Sequence, residues 1–196
     1  LRLGEVSAHP RAAQLGGLAE GFELVARDGA ARAEYGFDHG LAVLADLTAW
    51  AERGWVGKEE AFVAAAHAVA EPSRNLPARR VVGADAAPDD ALDLAHVSEA
   101  LLAERRDEAE ARIRKIAREL GPAGVVTAVV PFLAHHLYEY GHGAIFVAKA
   151  AEIAARFPAI AEDVLGAVAV TLAWATAETA LPPFTATRAA LARLDA

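Results

Sequence analysis

Apolar residues recur along most of the chain at intervals of three and four residues, the spacing that places them on one face of an α-helix. Alternation of apolar and polar residues, which would indicate strands, is scarce. The pattern predicts an all-α fold with no strand longer than about three residues. We expect helices at about 10–27, 39–53, 58–71, 89–103, 104–120, 123–139, 142–157, 159–180 and 184–194.

Glycine and proline residues separate these segments and suggest where the helices end. Asp89 and Asp90 can cap the helix expected to begin beside them. Pro131 lies inside a predicted helix and is expected to kink or split it. The longest stretch without a helical pattern runs from Pro72 to Pro88 and divides the chain nearly in half. We therefore expect one all-helical domain, 1–196, built from two pseudo-repeated halves, about 10–86 and 87–196.

The segment 104–119 is unusually charged, with 11 charged residues among 16. Its pairs Glu108/Arg112 and Glu110/Arg114 stand four residues apart, where oppositely charged side chains support a helix. The pattern predicts a solvated helix face, and a partner-docking surface is the alternative. The three tryptophans are expected in the core: Trp50, Trp55 and Trp174.

Composition changes the picture mainly by exclusion. The apolar share is 55%, but 51 of the 196 residues are alanine, a strong helix former. The absence of cysteine excludes disulfides, thiolate metal sites and cysteine nucleophiles. The net charge of −8 argues against a nucleic-acid-binding protein. No signal peptide is visible, and the uncharged segment 120–138 contains Gly, Pro and His, so we expect a cytoplasmic protein with a buried core helix there rather than a membrane span.

The two halves repeat the same short motifs in the same order. The first half contains EYG at 34–36 and HG at 39–40, and the second contains EYG at 139–141 and HG at 142–143. An alanine-rich helix ending in glutamate, a Leu-Pro pair and an arginine then follow in both halves: Glu71, Leu76-Pro77 and Arg79 or Arg80 in the first, Glu178, Leu181-Pro182 and Arg188 in the second. The ordered recurrence predicts an internal duplication.

The His-Gly pairs are the main candidates for chemistry. A histidine in the first turn of a helix lies near the positive end of the helix dipole, which favours the neutral imidazole that a base or metal ligand requires. Across a pseudo-two-fold axis, His39 and His142 would face each other within about 10–12 Å, at or near the largest pocket and with Glu139 or Glu71 nearby, as the catalytic residues. The alternative is structural: each glycine permits close packing, and each histidine is separately buried on a local carbonyl.

A second cluster suggests a metal site. On a continuous helix, His135, Glu139 and His142 would lie on one face, and Glu139 and His142 have the Glu-x-x-His spacing of di-iron bundles. Imidazole and carboxylate ligands suit non-haem iron or zinc. The first half lacks a second Glu-x-x-His, since it has Glu34 and His39 instead. The metal ligands expected from this pattern are His135, Glu139 and His142.

The segment from His142-Gly143 through Ala173-Trp174-Ala175 to Leu181-Pro182 resembles the questin oxidase-like family, and His39-Gly40 with Leu76-Pro77 match it more loosely. The resemblance implies an all-helical fold and oxidative tailoring of aromatic polyketides. We therefore expect an oxidoreductase-like protein that acts on an apolar or aromatic small molecule, with or without a metal ion, and homo-oligomers are compatible with it. The alternative is a non-catalytic helical module that binds a ligand or partner.

Overall fold

The fold of the chain was analysed in a computed structural model, which describes residues 18–33, 35–73, 78–134 and 141–174, together with positions 190 and 193. Within these ranges the protein is all-α and contains no strand. The helices are α1 (Leu18–Arg32), α2 (His39–Glu52), α3 (Lys58–Ser73), α4 (Ala95–Leu102), α5 (Arg106–Ala134), α6 (His142–Arg156) and α7 (Ala161–Trp174). Short 3-10 turns lie at Ala84–Ala86 and Pro158–Ile160.

The predicted helices from 39, 58 and 142 begin where the sequence pattern places them, whereas α1 ends five residues later than predicted and α4 begins six residues later. α1 continues past Gly29 to Arg32, and Gly29 packs directly against the side chains of Leu41 and Val69. α4 begins at Ala95, and the side chain of Asp93 accepts a hydrogen bond from its first N–H. The expected caps are wrong, because the helix does not begin beside Asp89 and Asp90.

α5 is broken at Gly121, not at Pro131. Gly121 has φ 68° and ψ −172°, a conformation open to glycine and very unfavourable for other residues, whereas Pro131 lies within the helical part that follows. α5 is the one described helix long and apolar enough to cross a membrane. Core helices of soluble proteins have the same length and composition, and the break leaves neither part of α5 near the ~20 residues of a continuous span.

The core forms where α5 packs on α7, α2 on α3, and α6 on α7. Small side chains let these helices approach closely, and larger residues such as Leu44, Ile113, Ile153 and Leu165 fill the space between them. The tryptophans lie outside this core: Trp50, Trp55 and Trp174 are 40%, 67% and 52% exposed, so their expected burial is wrong. Alanine-lined interfaces leave little room for an indole ring.

One side of the charged part of α5 is buried, which corrects the prediction of a solvated face there, whereas Asp107, Arg118 and Glu119 are exposed. Glu110, Arg112 and Arg114 are 0%, 5% and 4% exposed. The predicted pairs are present, with Arg112 Nε 2.8 Å from Glu108 Oε1 and Arg114 Nε 3.2 Å from Glu110 Oε1. They are covered because α4, α7 and the Ala84–Ala86 turn all pack on this part of the helix. Burial is tolerated because each charge has an opposite partner.

Candidate functional site

α2 and α6 run parallel, side by side, and residues at equivalent or adjacent positions face each other along their length. His39 and His142 meet at the two N-termini, with ring centroids 5.0 Å apart. Halfway along, Lys149 Nζ lies 2.8 Å from Asp46 Oδ1. Near the C-termini, Arg156 donates two hydrogen bonds to the carboxylate of Glu52, at 2.7 and 2.8 Å. The helix starts are therefore held next to each other by contacts along the whole helix pair.

The two histidines begin their helices through different local structures. Asp38 is the N-cap of α2, and its side chain accepts a hydrogen bond from the N–H of Leu41 at 3.0 Å. α6 begins after Gly141, which has φ 81° and offers no side-chain cap. In both cases the histidine is the first helical residue, as the sequence pattern predicted, so its ring projects from the end of a helix.

The paired imidazoles lie on an aromatic base, and we call His39, His142, Phe37 and Phe146 the His–Phe cluster. The ring of His142 stacks on Phe146 at 5.6 Å with an interplanar angle of 13°, and His39 meets the same ring edge-on at 5.2 Å. Phe37 packs against Phe146 at 5.6 Å from within the core. Phe37 and Phe146 are buried, His142 is half-buried and His39 is exposed. The cluster therefore presents imidazole to solvent and phenyl to the interior.

The expected proximity of His39 and His142 is thus confirmed, and the structural alternative for the two imidazoles is wrong. That alternative required two separate, buried histidines, whereas the rings touch and neither is buried. Among the described residues, the contacts of both imidazoles are with aromatic rings, with no hydrogen bond to a carbonyl.

The glycines after the histidines have a packing role, as the structural alternative proposed. A Cβ on Gly40 would lie 2.5 Å from the carbonyl oxygen of Ala68, so α2 and α3 cross here backbone against backbone. A Cβ on Gly143 would lie 3.1 Å from a methyl carbon of Leu133 and of Leu172. The two glycines bring the ends of three other helices up to the histidines.

The loop before α2 is fixed to the last turns of α7. The N–H of Phe37 donates to the carbonyl of Ala167 at 3.0 Å. The hydroxyl of Thr171 lies 2.8 Å from the carbonyl oxygen of Tyr35 and 2.9 Å from that of Phe37. Gly36, with φ 89°, packs against α7 where a side chain would clash with the carbonyl of Ala167. α7 therefore positions the residues that lead into His39.

Burial is the main influence on the pKa of Asp38, the residue before His39. Burial raises the pKa of Asp38 above its usual value, and the hydrogen bonds from the N–H groups of Leu41 and Gly40 partly oppose that shift. Asp38 therefore caps α2 and contributes a partly buried negative charge at the start of that helix. It offsets the positive end of that helix dipole, whereas α6 has no such cap.

The metal site expected from the sequence loses its premise. His142 is the first residue of α6, and Gly141 before it is left-handed, so no continuous helix places His135, Glu139 and His142 on one face. His135 and Glu139 lie outside the described residues, and the ligand set itself stays a prediction. Within the described ranges, no group of three or more His, Asp or Glu side chains could hold a metal ion.

Glu139 or Glu71 is expected near the histidines, and only Glu71 lies within the described residues. Glu71 lies in the last turns of α3, just after the residues that touch Gly40, and Glu139 is outside the described part. A separate shallow groove runs along the exposed face of α3, lined by Glu59, Glu60, Val63, Ala64 and His67. It is not formed by the paired histidines.

Sequence reasoning missed the aromatic base of the site. Phe146 stands four residues after His142, a spacing that places two rings on one helix face, so this contact was available from the pattern. Phe37 belongs to the loop, and only the docking of that loop on α7 brings it to Phe146.

Comparisons of the chain with protein-family models, curated proteins and solved structures give no match. The resemblance to questin oxidase-like proteins therefore stays a prediction from short motifs.

Proposed function

We propose that the protein binds an apolar or aromatic small molecule at the His–Phe cluster and acts on it as an oxidoreductase-like enzyme. The observation that carries this proposal is the contact between His39 and His142, whose rings meet at 5.0 Å although 103 residues separate them in sequence. A few converging polar groups beside apolar surface are typical of small-molecule sites.

The internal repeat supports a shared site between two related halves. α3 begins 19 residues after α2, and α7 begins 19 residues after α6. The buried residues of α3 recur 103 positions later on α7: Ala61, Ala65, Ala66 and Val69 correspond to Val164, Val168, Ala169 and Leu172, which are also buried. Parallel α2 and α6 meet at equivalent positions, as helices on either side of a two-fold axis do. A duplication with its axis between these helices accounts for both facts.

The cluster offers two kinds of interaction to a ligand. An imidazole can accept a proton from, or donate one to, a phenol or enol, which are common groups on oxidised aromatic molecules. The exposed ring of His39 and the half-buried ring of His142 provide surfaces for an aromatic ligand to pack on, edge-on or offset. Tyr35, in the loop that leads to His39, and Trp174, at the end of α7, form a separate exposed aromatic pair with ring centroids 5.2 Å apart. His39 and His142 are the proposed catalytic residues.

Calorimetric titration of the full chain with a hydroxylated anthraquinone, a simple aromatic polyketide, tests this proposal. We expect saturable binding that is weakened at least about tenfold in both His39→Ala and His142→Ala, which is a loss of ~1.4 kcal/mol. His67→Ala is the matched control, since His67 is an exposed histidine in the α3 groove. Oxygen uptake with the same compound tests the oxidoreductase step.

Thermal melts of these variants decide whether loss of binding reflects the site or the fold. Because the described contacts of His39 are only with rings and the side chain is exposed, its removal should change stability by less than about 0.5 kcal/mol. Equal binding by wild type and both variants would contradict the proposal. So would a loss of binding that only accompanies a loss of folded protein.

A non-catalytic binding module is favoured instead by one observation, the packing role of Gly40 and Gly143. If those glycines serve only close helix packing, the histidines need no part in a reaction. Binding that depends on His39 and His142, without oxygen uptake or product, would support this second candidate.

A further inference from the structure

We infer that His39 and His142 together bind one divalent transition-metal ion, such as Zn²⁺, as its two protein ligands. The inference deepens the proposed function, because it rests on the same pair of histidines. It differs from the site expected from the sequence, since the second ligand comes from the other half of the chain and not from His135 or Glu139.

The separation of the two rings fits one shared ion. A zinc–nitrogen bond of about 2.0–2.1 Å and a tetrahedral angle at the metal place the centroids of two coordinating imidazoles about 5 Å apart. The observed separation is 5.0 Å. The rings now meet edge to face, at 82°, so coordination requires them to turn about their terminal side-chain torsions. Such torsions have broad minima, and the exposed ring of His39 turns toward solvent without repacking the core.

The helices hold the two ligands in place before a metal arrives. The backbone positions of His39 and His142 are set by Gly40 against α3 and by the ion pairs Asp46–Lys149 and Glu52–Arg156 between the helices. The hydrogen bond from Lys149 to Asp46 raises the pKa of that lysine. Binding an ion therefore costs little ordering of the backbone, which is the condition for useful affinity from two ligands.

Two neighbouring side chains, Asp38 and Phe146, also suit the binding of a metal ion by the two histidines. Asp38, next to His39, provides a negative charge that offsets the positive helix ends. Phe146 beneath both rings keeps water from one side of the pair. With two protein ligands, the other coordination positions remain open to water or to a ligand oxygen, whereas catalytic zinc sites with three protein ligands keep one such position. A phenolate oxygen of an aromatic ligand is suited to such a position.

Calorimetric titration of the EDTA-treated full chain with Zn²⁺ alone tests the inference, with Ni²⁺ as a second probe. We expect one ion per chain and a rise in melting temperature as the ion binds the folded state. His39→Ala and His142→Ala should each weaken binding on the order of 100-fold, because a single imidazole loses the benefit of the second one nearby. The double variant, which has neither imidazole, should show no measurable binding at this site.

The controls separate the competing ligand sets. His67→Ala and His96→Ala should bind Zn²⁺ like wild type, and circular dichroism at 222 nm confirms that every variant is folded. Wild-type affinity in His39→Ala, with weakened binding in His135→Ala or Glu139→Ala, would overturn the inference in favour of the site expected from the sequence. Absence of a one-to-one complex in wild type would also overturn it.

The same proteins distinguish failure of the metal inference from failure of the proposed function. The anthraquinone titration is repeated on the EDTA-treated chain, where no metal is present. Binding of the aromatic compound that depends on His39 and His142, without Zn²⁺ binding, refutes the metal site alone. If the chain binds Zn²⁺ but does not bind the aromatic compound, the small-molecule proposal alone is refuted.

Discussion

Removing the charge of Glu110 should destabilise the fold strongly, although the change adds or removes almost no volume. Glu110 is fully buried, and its Oε1 lies 2.8 Å from Arg79 Nη1 and 3.2 Å from Arg114 Nε. Its Oε2 accepts a further hydrogen bond from Arg79 at 3.0 Å. Arg79 also donates to the carbonyl of Ala30 at 3.1 Å, so this one carboxylate connects the end of α1, the segment before α4, and α5.

Glu110→Gln leaves two buried guanidinium groups with one fewer negative charge. Breaking a buried pair by removing one partner costs about 3–5 kcal/mol. Arg114 retains Asp163, at 3.0 Å, and among the described residues Arg79 keeps hydrogen bonds to backbone carbonyls, so the lower end of the range, ~3 kcal/mol, is expected. At ~2–4 °C per kcal/mol for a chain of this size, the melting temperature should fall by about 6–12 °C.

Urea unfolding of the full chain, followed by circular dichroism, measures this change. Glu119→Gln is the matched control, because Glu119 pairs with Lys115 on the exposed side of the same helix and its side chain is 44% exposed. That change should cost less than about 1 kcal/mol. If Glu110→Gln and the control differ by less than about 0.5 kcal/mol, the buried network does not stabilise the fold as described.

Three further changes test the local structure around the site and the charged helix. Gly40→Ala should cost about 1–3 kcal/mol in urea unfolding, because the new methyl group would meet the backbone of Ala68. Gly83→Ala is the control and should be neutral or slightly stabilising, because Gly83 has φ −72° and open space around the position of a Cβ. Equal effects of the two changes would contradict the close crossing of α2 and α3. Asp38→Ala should cost about 1 kcal/mol through loss of the helix cap, and Asp38→Asn should largely restore it; a melt in which Asn is as unstable as Ala would refute the capping role. The hydrogen bonds from two arginines lower the pKa of Glu108, so its stabilising contribution is present above the ordinary glutamate pKa and is lost as pH falls through the lowered value. The free energy of unfolding of Glu108→Gln should therefore differ from that of wild type at pH 7, and the two should converge in acid. A difference that does not change with pH would be inconsistent with that cause.

The helices and the histidine pair were accessible from sequence because both depend on local pattern. Apolar spacing sets which face of a helix is buried, and the His-Gly motifs mark two helix starts. The start of α2 at His39 and of α6 at His142 follows from these signals alone. The proximity of the two rings follows once the two halves are taken as related.

The buried charges and exposed tryptophans were not accessible, because they depend on which helix is central. The charged part of α5 has the local composition of a surface helix, and only its coverage by α4 and α7 buries Glu110 and Arg114. Gly166 on α7 makes room for the guanidinium of Arg114, since a Cβ there would lie 2.6 Å from its Nε. Such a pairing between residues 52 positions apart leaves no periodic signal in the sequence.

The most direct test of the His–Phe cluster as a ligand site is a long-range ¹H–¹⁵N spectrum of the histidine rings in the full chain. The chain contains seven histidines, and His39→Ala and His142→Ala assign the two signals of interest. During titration with the hydroxylated anthraquinone, we expect the His39 and His142 signals to shift together and saturate, while those of His67 and His96 stay in place. Unchanged His39 and His142 signals at a ligand concentration that saturates binding would contradict this expectation.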